Sequence, residues 1–237
     1  MPTHALTRRF PCHVAMACFA FAAAVSLPSQ AADSMPGYIW NEMYPEKLQA
    51  LRAQGDAKRG AVAFEGCQGC HRAGALGRVD GSYPRLAGQH DTVLIKQMTD
   101  VRAGIRENPK MLPFADKEAL SVQEIADIAA YLRSLPPSTD NGVGPGDRLA
   151  RGADLYTRDC RSCHGANGEG DASRFYPRVA GQHFKYLFRE VVQIRDGGRR
   201  NSDPRMLNAV RGYSNDDVSA VADHMARLRA PISAVGK

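Results

Sequence analysis

The sequence predicts an all-α fold made by tandem duplication of one small helical domain. A shift of 93 positions superimposes residues 83–90 on residues 176–183 and places Cys67 on Cys160, as expected for a duplicated unit. Apolar residues recur at helical spacing along both copies, and no segment shows the clear alternation of a half-buried strand. The 237 residues suffice for two domains of about 100 residues each.

Each copy is predicted to end in an amphipathic helix that begins with a capping box. Ser121 and Glu124 form the first box, and Ser214 and Asp217 form the second. Apolar residues follow both boxes in the same helical register, so we expect each helix to bury one face.

Each copy is also predicted to begin with a helix that crosses another helix closely. Gly60 and Phe64 stand upstream of the first cysteine pair, and Gly152 and Tyr156 hold the matching places in the second copy. Glycine allows two backbones to approach because it has no Cβ atom.

The N-terminus is predicted to be a signal peptide over residues 1–31. Arg8 and Arg9 precede a mostly apolar run at 14–27, which ends in small residues suited to signal peptidase. The run is short for a membrane helix, although an uncleaved anchor stays open as the alternative. Export through this segment predicts a periplasmic protein.

The remaining chain divides at changes in composition. An extension at 32–55 contains the single tryptophan, and the two predicted domains cover residues 56–135 and 148–237. The stretch at 136–147 is rich in Pro and Gly, which prevents a continuous helix and predicts a linker. Hydrophobic residues make up 43% and charged residues 24% of the chain, values typical of a folded globular protein.

Each copy carries one Cys-x-x-Cys-His string, which is the attachment signature of c-type haem. In such a site two thiols bond to the porphyrin and the adjacent imidazole ligates the iron. The strings consist of Cys67, Cys70 and His71 in the first copy and of Cys160, Cys163 and His164 in the second. Together they predict two covalently bound haem c groups.

Two other kinds of site also use paired cysteines. A thioredoxin-like dithiol is expected beside a βαβ pattern, which this sequence does not show. A zinc site built from both pairs would leave the histidines redundant and the duplication unexplained. The repeated string therefore favours haem.

Methionine is the predicted second axial ligand in both copies. Met111 lies 40 residues after His71, and Met206 lies 42 residues after His164, each inside a matching Pro-Lys/Arg-Met-Leu string. An iron with two protein ligands is normally confined to electron transfer, and a thioether ligand raises the reduction potential. The matched methionines therefore predict a carrier at the oxidising end of a respiratory chain.

Four further residues receive structural predictions. Met98 and Met225 are predicted to fill the core, because neither is matched by a methionine in the other copy. His90 and His183 are matched, but each precedes an apolar helical pattern and is predicted to cap that helix rather than to bind iron.

Charge is distributed unevenly between the halves. Residues 141–237 carry 16 basic and 11 acidic groups, whereas residues 32–140 carry 13 and 14. Such asymmetry steers redox partners, so we expect the second half to meet an acidic protein or membrane surface. Basic residues without interleaved aromatics do not indicate nucleic acid.

The matched Arg85 and Arg178 are candidates for contact with haem propionates, with an ordinary surface position as the alternative.

These elements together resemble a class I cytochrome c domain, and the duplicated arrangement resembles the di-haem cytochrome c4 family over about residues 55–230. The resemblance implies two helical domains around covalent haems, in a carrier that is not an enzyme. It implies a cytochrome bc complex or a dehydrogenase as donor, a terminal oxidase as acceptor, and possible peripheral association with the membrane. It also implies that the carbonyls of Pro84 and Pro177 orient His71 and His164.

Two functional alternatives stay open at this point. The chain could be the electron-accepting subunit of a periplasmic dehydrogenase, such as a flavin-linked sulfide enzyme, with residues 32–55 as the docking segment. A di-haem peroxidase or thiosulfate-oxidising enzyme would need an open axial position, which the matched methionines disfavour. The sequence departs from the family pattern at Arg72, where glycine is common, and at His224, where an aromatic residue is usual.

Overall fold

The computed structural model describes residues 1–2, 37–137 and 140–229. Nearly all of the predicted signal peptide, the start of the extension and part of the predicted linker therefore lie outside the described residues. Both copies of the repeat belong to one compact unit. None of the described helices has the length and apolar character needed to cross a membrane.

The described residues form helices and no strand beyond one isolated bridge, which confirms the predicted all-α fold class. The first half contains α1 (Pro45–Arg52), α2 (Ala57–Ala63), α3 (Gln68–His71), α4 (Asp91–Arg102), α5 (Leu112–Ala115) and α6 (Val122–Ser134). The second half contains α7 (Leu149–Leu155), α8 (Arg161–His164), α9 (Phe184–Arg195), α10 (Pro204–Val210) and α11 (Asn215–Arg227).

Both predicted capping boxes are confirmed at the starts of α6 and α11. The Ser121 hydroxyl accepts a hydrogen bond from Glu124 N at 3.2 Å, and the Glu124 carboxylate accepts one from Ser121 N at 2.7 Å. Ser214 and Asp217 form the same reciprocal pair. These local bonds satisfy backbone donors that a helix start otherwise leaves without partners.

The predicted close crossings join α2 to α6 and α7 to α11. A Cβ atom built on Gly60 would lie 1.9 Å from the carbonyl oxygen of Asp127, and one on Gly152 would lie 2.2 Å from that of Ala220. Each crossing is supported by a hydrophobic core of its own copy, with Phe64 in the first and Tyr156 in the second.

Replacing Gly60 with alanine should destabilise the first copy. Because the obstructing atom belongs to backbone, the two helices must separate, and overpacking of this kind costs about 1–3 kcal/mol or more. Thermal or denaturant unfolding of the holoprotein would measure the loss. Gly212→Ala is the matched control, since a Cβ atom there meets nothing within 4 Å. Equal stability of the two variants would contradict the close crossing.

The repeated string at 83–90 and 176–183 forms the interface between the copies. Gln182 accepts a hydrogen bond from Arg85 N at 2.9 Å and donates one to Arg85 O at 2.8 Å. Gln89 repeats both bonds with the backbone of Arg178, at 2.9 and 3.0 Å. The duplicated sequence thus produces a pseudo-two-fold interface in which each copy supplies one amide side chain and one backbone segment.

His90 and His183 precede α4 and α9, as predicted, but neither side chain caps its helix. Each ring reaches across the interface instead. His90 Nε2 lies 2.8 Å from the carbonyl oxygen of Glu169, and His183 Nε2 lies 2.8 Å from that of Leu76. The capping prediction was therefore wrong, because each ring finds its partner in a carbonyl of the other copy, 79 and 107 residues away in the sequence.

The described part of the extension packs against both copies. Trp40 stacks on Tyr176 of the second copy at 6.5 Å between ring centroids, and the ammonium of Lys96, from α4, lies 4.6 Å from the Trp40 ring. In α1, the buried Lys47 forms an ion pair with the buried Asp100 of α4 at 2.6 Å. The described part of the extension therefore contacts both copies.

Candidate haem sites

The first cavity lies in the first copy and has a volume of about 500 Å³, within the usual range for cofactor pockets. Its walls include the two thiols of the first string, Cys67 and Cys70, together with His71 and Met111. The string occupies a tight turn followed by α3, whereas Met111 immediately precedes α5. Folding therefore brings the predicted ligand from a distant segment to the same cavity.

The second cavity has the same organisation in the second copy and a volume of about 560 Å³. Cys160, Cys163, His164 and Met206 all contribute to its walls. The extension adds Trp40 to this cavity, a contribution that no sequence pattern indicated.

Both histidines are buried and held by a backbone carbonyl. His71 Nδ1 donates to Pro84 O at 3.2 Å, and His164 Nδ1 donates to Pro177 O at 3.0 Å. Burial lowers the pKa of both imidazoles, against the opposing effect of these bonds, and so favours the neutral ring. With Nδ1 donating, Nε2 keeps the lone pair that an iron ligand requires.

The first thiol of each string, Cys67 and Cys160, lacks the lowered pKa of a reactive dithiol. All four described cysteines are free. Burial raises the pKa of Cys67, and it raises the pKa of Cys160 to about 12. Redox dithiols and nucleophilic cysteines instead have a lowered pKa that provides thiolate. The site fits thioether attachment of haem c, with two thiols, one neutral imidazole and a candidate methionine ligand around a single cavity.

Each cavity contains a second methionine. Met98 and Met225 are buried in the two cores, as predicted, and they also line the first and second cavities. Cavity lining alone therefore does not distinguish them from Met111 and Met206. The internal match at Met111 and Met206 remains the reason to select those two as ligands.

Arg85 and Arg178 are buried, not on the surface. Both line the second cavity, and one guanidinium N–H of Arg85 donates to Ala180 O at 2.7 Å. Burial lowers the pKa of Arg85 to about 10, with the positive charge of Arg178 acting in the same direction. A propionate contact for these arginines remains a prediction.

The departures at Arg72 and His224 have visible structural consequences. Arg72 follows α3 with φ of 65°, a backbone conformation that its counterpart Gly165 adopts at 82° without a Cβ. His224 packs on Tyr156 at 5.3 Å between ring centroids, much as Tyr131 packs on Phe64 at 5.7 Å. His224 thus packs in the position that Tyr131 holds in the first copy.

Five polar residues without a sequence-based prediction line both cavities: Gln97, Arg106, Tyr186, Glu190 and Arg199. They lie on or just after α4 and α9, at the boundary between the two cavities. The repeat offset of 93 pairs Gln97 with Glu190 and Arg106 with Arg199, so an internal comparison could have found these four.

Comparison with known proteins agrees with this geometry. The family model described as Cytochrome c matches the chain twice, over residues 57–136 and 149–229. A solved structure of reduced recombinant cytochrome c4 from Pseudomonas stutzeri superimposes with a TM-score of 0.68 at 28% identity, covering 74% of this chain and 100% of that chain. The chain belongs to the cytochrome c4 family of di-haem cytochromes.

Curated relatives give the same family assignment. The chain is 32% identical over 191 residues to cytochrome c4 of Azotobacter vinelandii, covering 74% of this chain and 90% of the relative. It is 38% identical over 191 residues to a thiosulfate dehydrogenase electron acceptor of Stutzerimonas stutzeri, covering 76% and 85%. This cytochrome therefore carries two covalently bound haem c groups and is an electron carrier, not an enzyme.

Proposed function

We propose that this cytochrome is a periplasmic shuttle that takes electrons from a cytochrome bc complex or a dehydrogenase and delivers them to a terminal oxidase. The observation that carries the proposal is the presence of one histidine and one matched methionine in the wall of each cavity. His71 and Met111 would hold the first iron, and His164 and Met206 the second. The bound haems supply reversible one-electron chemistry.

The protein's own residues would orient, insulate and tune these centres. The thiols of each string anchor the group covalently, while Pro84 O and Pro177 O fix the orientation of the two imidazoles. Apolar side chains such as Leu94 and Leu132 in the first cavity exclude water. A thioether ligand favours ferrous iron and so a high reduction potential.

Export by residues 1–31 would place the carrier in the periplasm. Peripheral association with the membrane belongs to the same proposal.

An oxidation assay tests the role of this carrier directly. Reduced protein mixed with membranes that contain a terminal oxidase should be oxidised in a catalytic cycle. A protein that stays reduced in the presence of active oxidase would refute an oxidase as acceptor.

Electron transfer to an acidic partner should weaken with salt. Arg174 and Arg205 line the second cavity, and their side chains are 68% and 57% exposed. Steering by exposed charges raises association rates at low ionic strength and is screened as salt increases. We expect Arg174→Gln to lower the second-order rate constant a few-fold at low salt, measured by stopped-flow. Arg52→Gln, an exposed change on α1, is the control. A rate constant independent of salt would rule out this docking surface.

The second candidate is the electron-accepting subunit of a periplasmic dehydrogenase. Its support is the 38% identity to the thiosulfate dehydrogenase electron acceptor. The described part of the extension packs on the chain's own copies, which argues against its use as a free docking segment. Co-purification with a catalytic subunit, together with rapid reduction by thiosulfate in its presence, would favour this candidate over the oxidase shuttle.

A further inference from the structure

Four side chains form a hydrogen-bonded ring at the boundary between the two haem cavities. Arg106 donates to Gln97 Oε1 at 3.0 Å and to Glu190 Oε2 at 3.3 Å. Arg199 donates to Glu190 Oε2 at 2.8 Å and to Gln97 Oε1 at 3.2 Å. Each arginine thus bonds one acceptor of its own copy and one of the other copy.

The ring is shared by both cavities. All four members line the first cavity and also the second. The side chains of Arg106, Glu190 and Arg199 are only 16%, 9% and 17% exposed. Charges in such a position are screened little by solvent, so they act on both cavities through a medium of low dielectric constant.

The ring obeys the pseudo-two-fold symmetry of the fold except at one position. The offset of 93 relates Arg106 to Arg199, but it relates the neutral Gln97 to the acidic Glu190. Glu190 also accepts from Arg189 at 3.3 Å through its other oxygen. Burial alone would raise the pKa of Glu190, yet the arginines outweigh that effect and lower it, so the carboxylate is ionised.

We propose that this ring sets the reduction potentials of both haems together, with the Glu190 carboxylate as the group that lowers them. Oxidised haem carries one more positive charge than reduced haem, so a nearby carboxylate stabilises the oxidised form. The two guanidinium groups oppose that effect, and their remaining N–H donors suit the carboxylates of haem propionates. The inference rests on the proposed carrier function, because it concerns haems whose axial ligands are both supplied by the protein.

Neutralising the carboxylate should therefore raise both potentials. Glu190→Gln makes the ring symmetrical, and we expect the equilibrium constant for reduction to increase about tenfold at each haem, which is 59 mV for one electron. Gln97→Glu adds the charge at the related position and should lower both potentials by a similar factor. Spectroelectrochemical titration of the holoprotein resolves the two midpoints. Glu118→Gln, an exposed carboxylate that lines neither cavity, is the charge-matched control.

The double variant Gln97→Glu with Glu190→Gln moves the charge across the pseudo-two-fold axis without changing the total. Potentials close to those of the wild type would support the shared ring. Unchanged potentials in both single variants, or a shift confined to one haem, would overturn it. The far-red absorption band of methionine-ligated ferric haem, recorded on the same samples, keeps the two proposals distinguishable. An intact band with unshifted potentials refutes only the role of the ring, whereas absence of the band from the wild type refutes the ligation.

Discussion

Replacing either Met111 or Met206 with leucine should remove about half of the far-red absorption band of methionine-ligated ferric haem. Leucine preserves the apolar volume but has no thioether sulfur, so one iron would lose its sixth ligand. The potential of that haem should fall by on the order of 100 mV or more, within the roughly 0.8 V over which axial ligands set haem potentials. The reduced variants should also bind carbon monoxide.

The second methionine of each cavity provides the control. Met98→Leu and Met225→Leu change a buried residue in the wall of the same cavities, and both should retain the full band. Loss of the band in these variants, with retention in Met111→Leu and Met206→Leu, would reassign the ligands. Carbon monoxide binding by the wild-type protein would reveal an open axial position and contradict ligation by both methionines.

Replacing Asp100 with asparagine should cause a large loss of stability. Its carboxylate is fully buried and pairs with Lys47 and Lys96, each at 2.6 Å, while Asn201 donates to it at 2.9 Å. Removing one member of a buried ion pair leaves uncompensated charge, which typically costs about 3–5 kcal/mol. Thermal and denaturant unfolding would measure this. Asp196→Asn, which removes the exposed carboxylate of a pair with Arg195, is the control and should change stability much less.

The same variant should show a defined pH dependence. Burial lowers the pKa of Lys96 to about 8, although Asp100 opposes the shift. A lysine whose folded-state pKa lies below its unfolded value destabilises the fold at low pH, and the penalty declines as pH rises above the folded pKa. Asp100→Asn removes the charge that holds the pKa of Lys96 up at about 8, so its stability deficit should shrink as pH rises toward about 8 and stay constant above it. A deficit independent of pH would contradict unpaired ammonium groups as its cause.

Local chemistry made the haem attachment residues predictable. The thiols and the imidazole of each string lie within five consecutive residues, so one helical turn sets their relation. The capping boxes at Ser121 and Ser214 were predictable for the same reason, since their partners stand three residues away. The predicted methionine ligands lie 40 and 42 residues beyond the histidines, so no local spacing predicts them. Their prediction depended on the duplication, which matches Met111 with Met206.

The contacts between the copies had no such local signal. His90 and His183 bond to carbonyls 79 and 107 residues away, and the ring bond from Arg106 to Glu190 spans 84 residues. The duplicated string was visible as a repeat, but a repeat does not state whether its members face a haem, the solvent or each other. Here the glutamine and histidine side chains of the string reach the other copy, while its two proline carbonyls hold the haem-site histidines.

By itself, the sequence determined the all-helical duplicated fold, the family and the attachment residues of two haems. These features depend on spacing within single turns and on periodicity along single helices, which the order of residues specifies directly. Only the tertiary structure decided that the extension packs on both copies through Trp40 and Lys47, and that Glu190 lies between the two cavities. Both features follow from how the two copies of the repeat pack against each other, which is set by burial and side-chain contacts between residues far apart in the sequence.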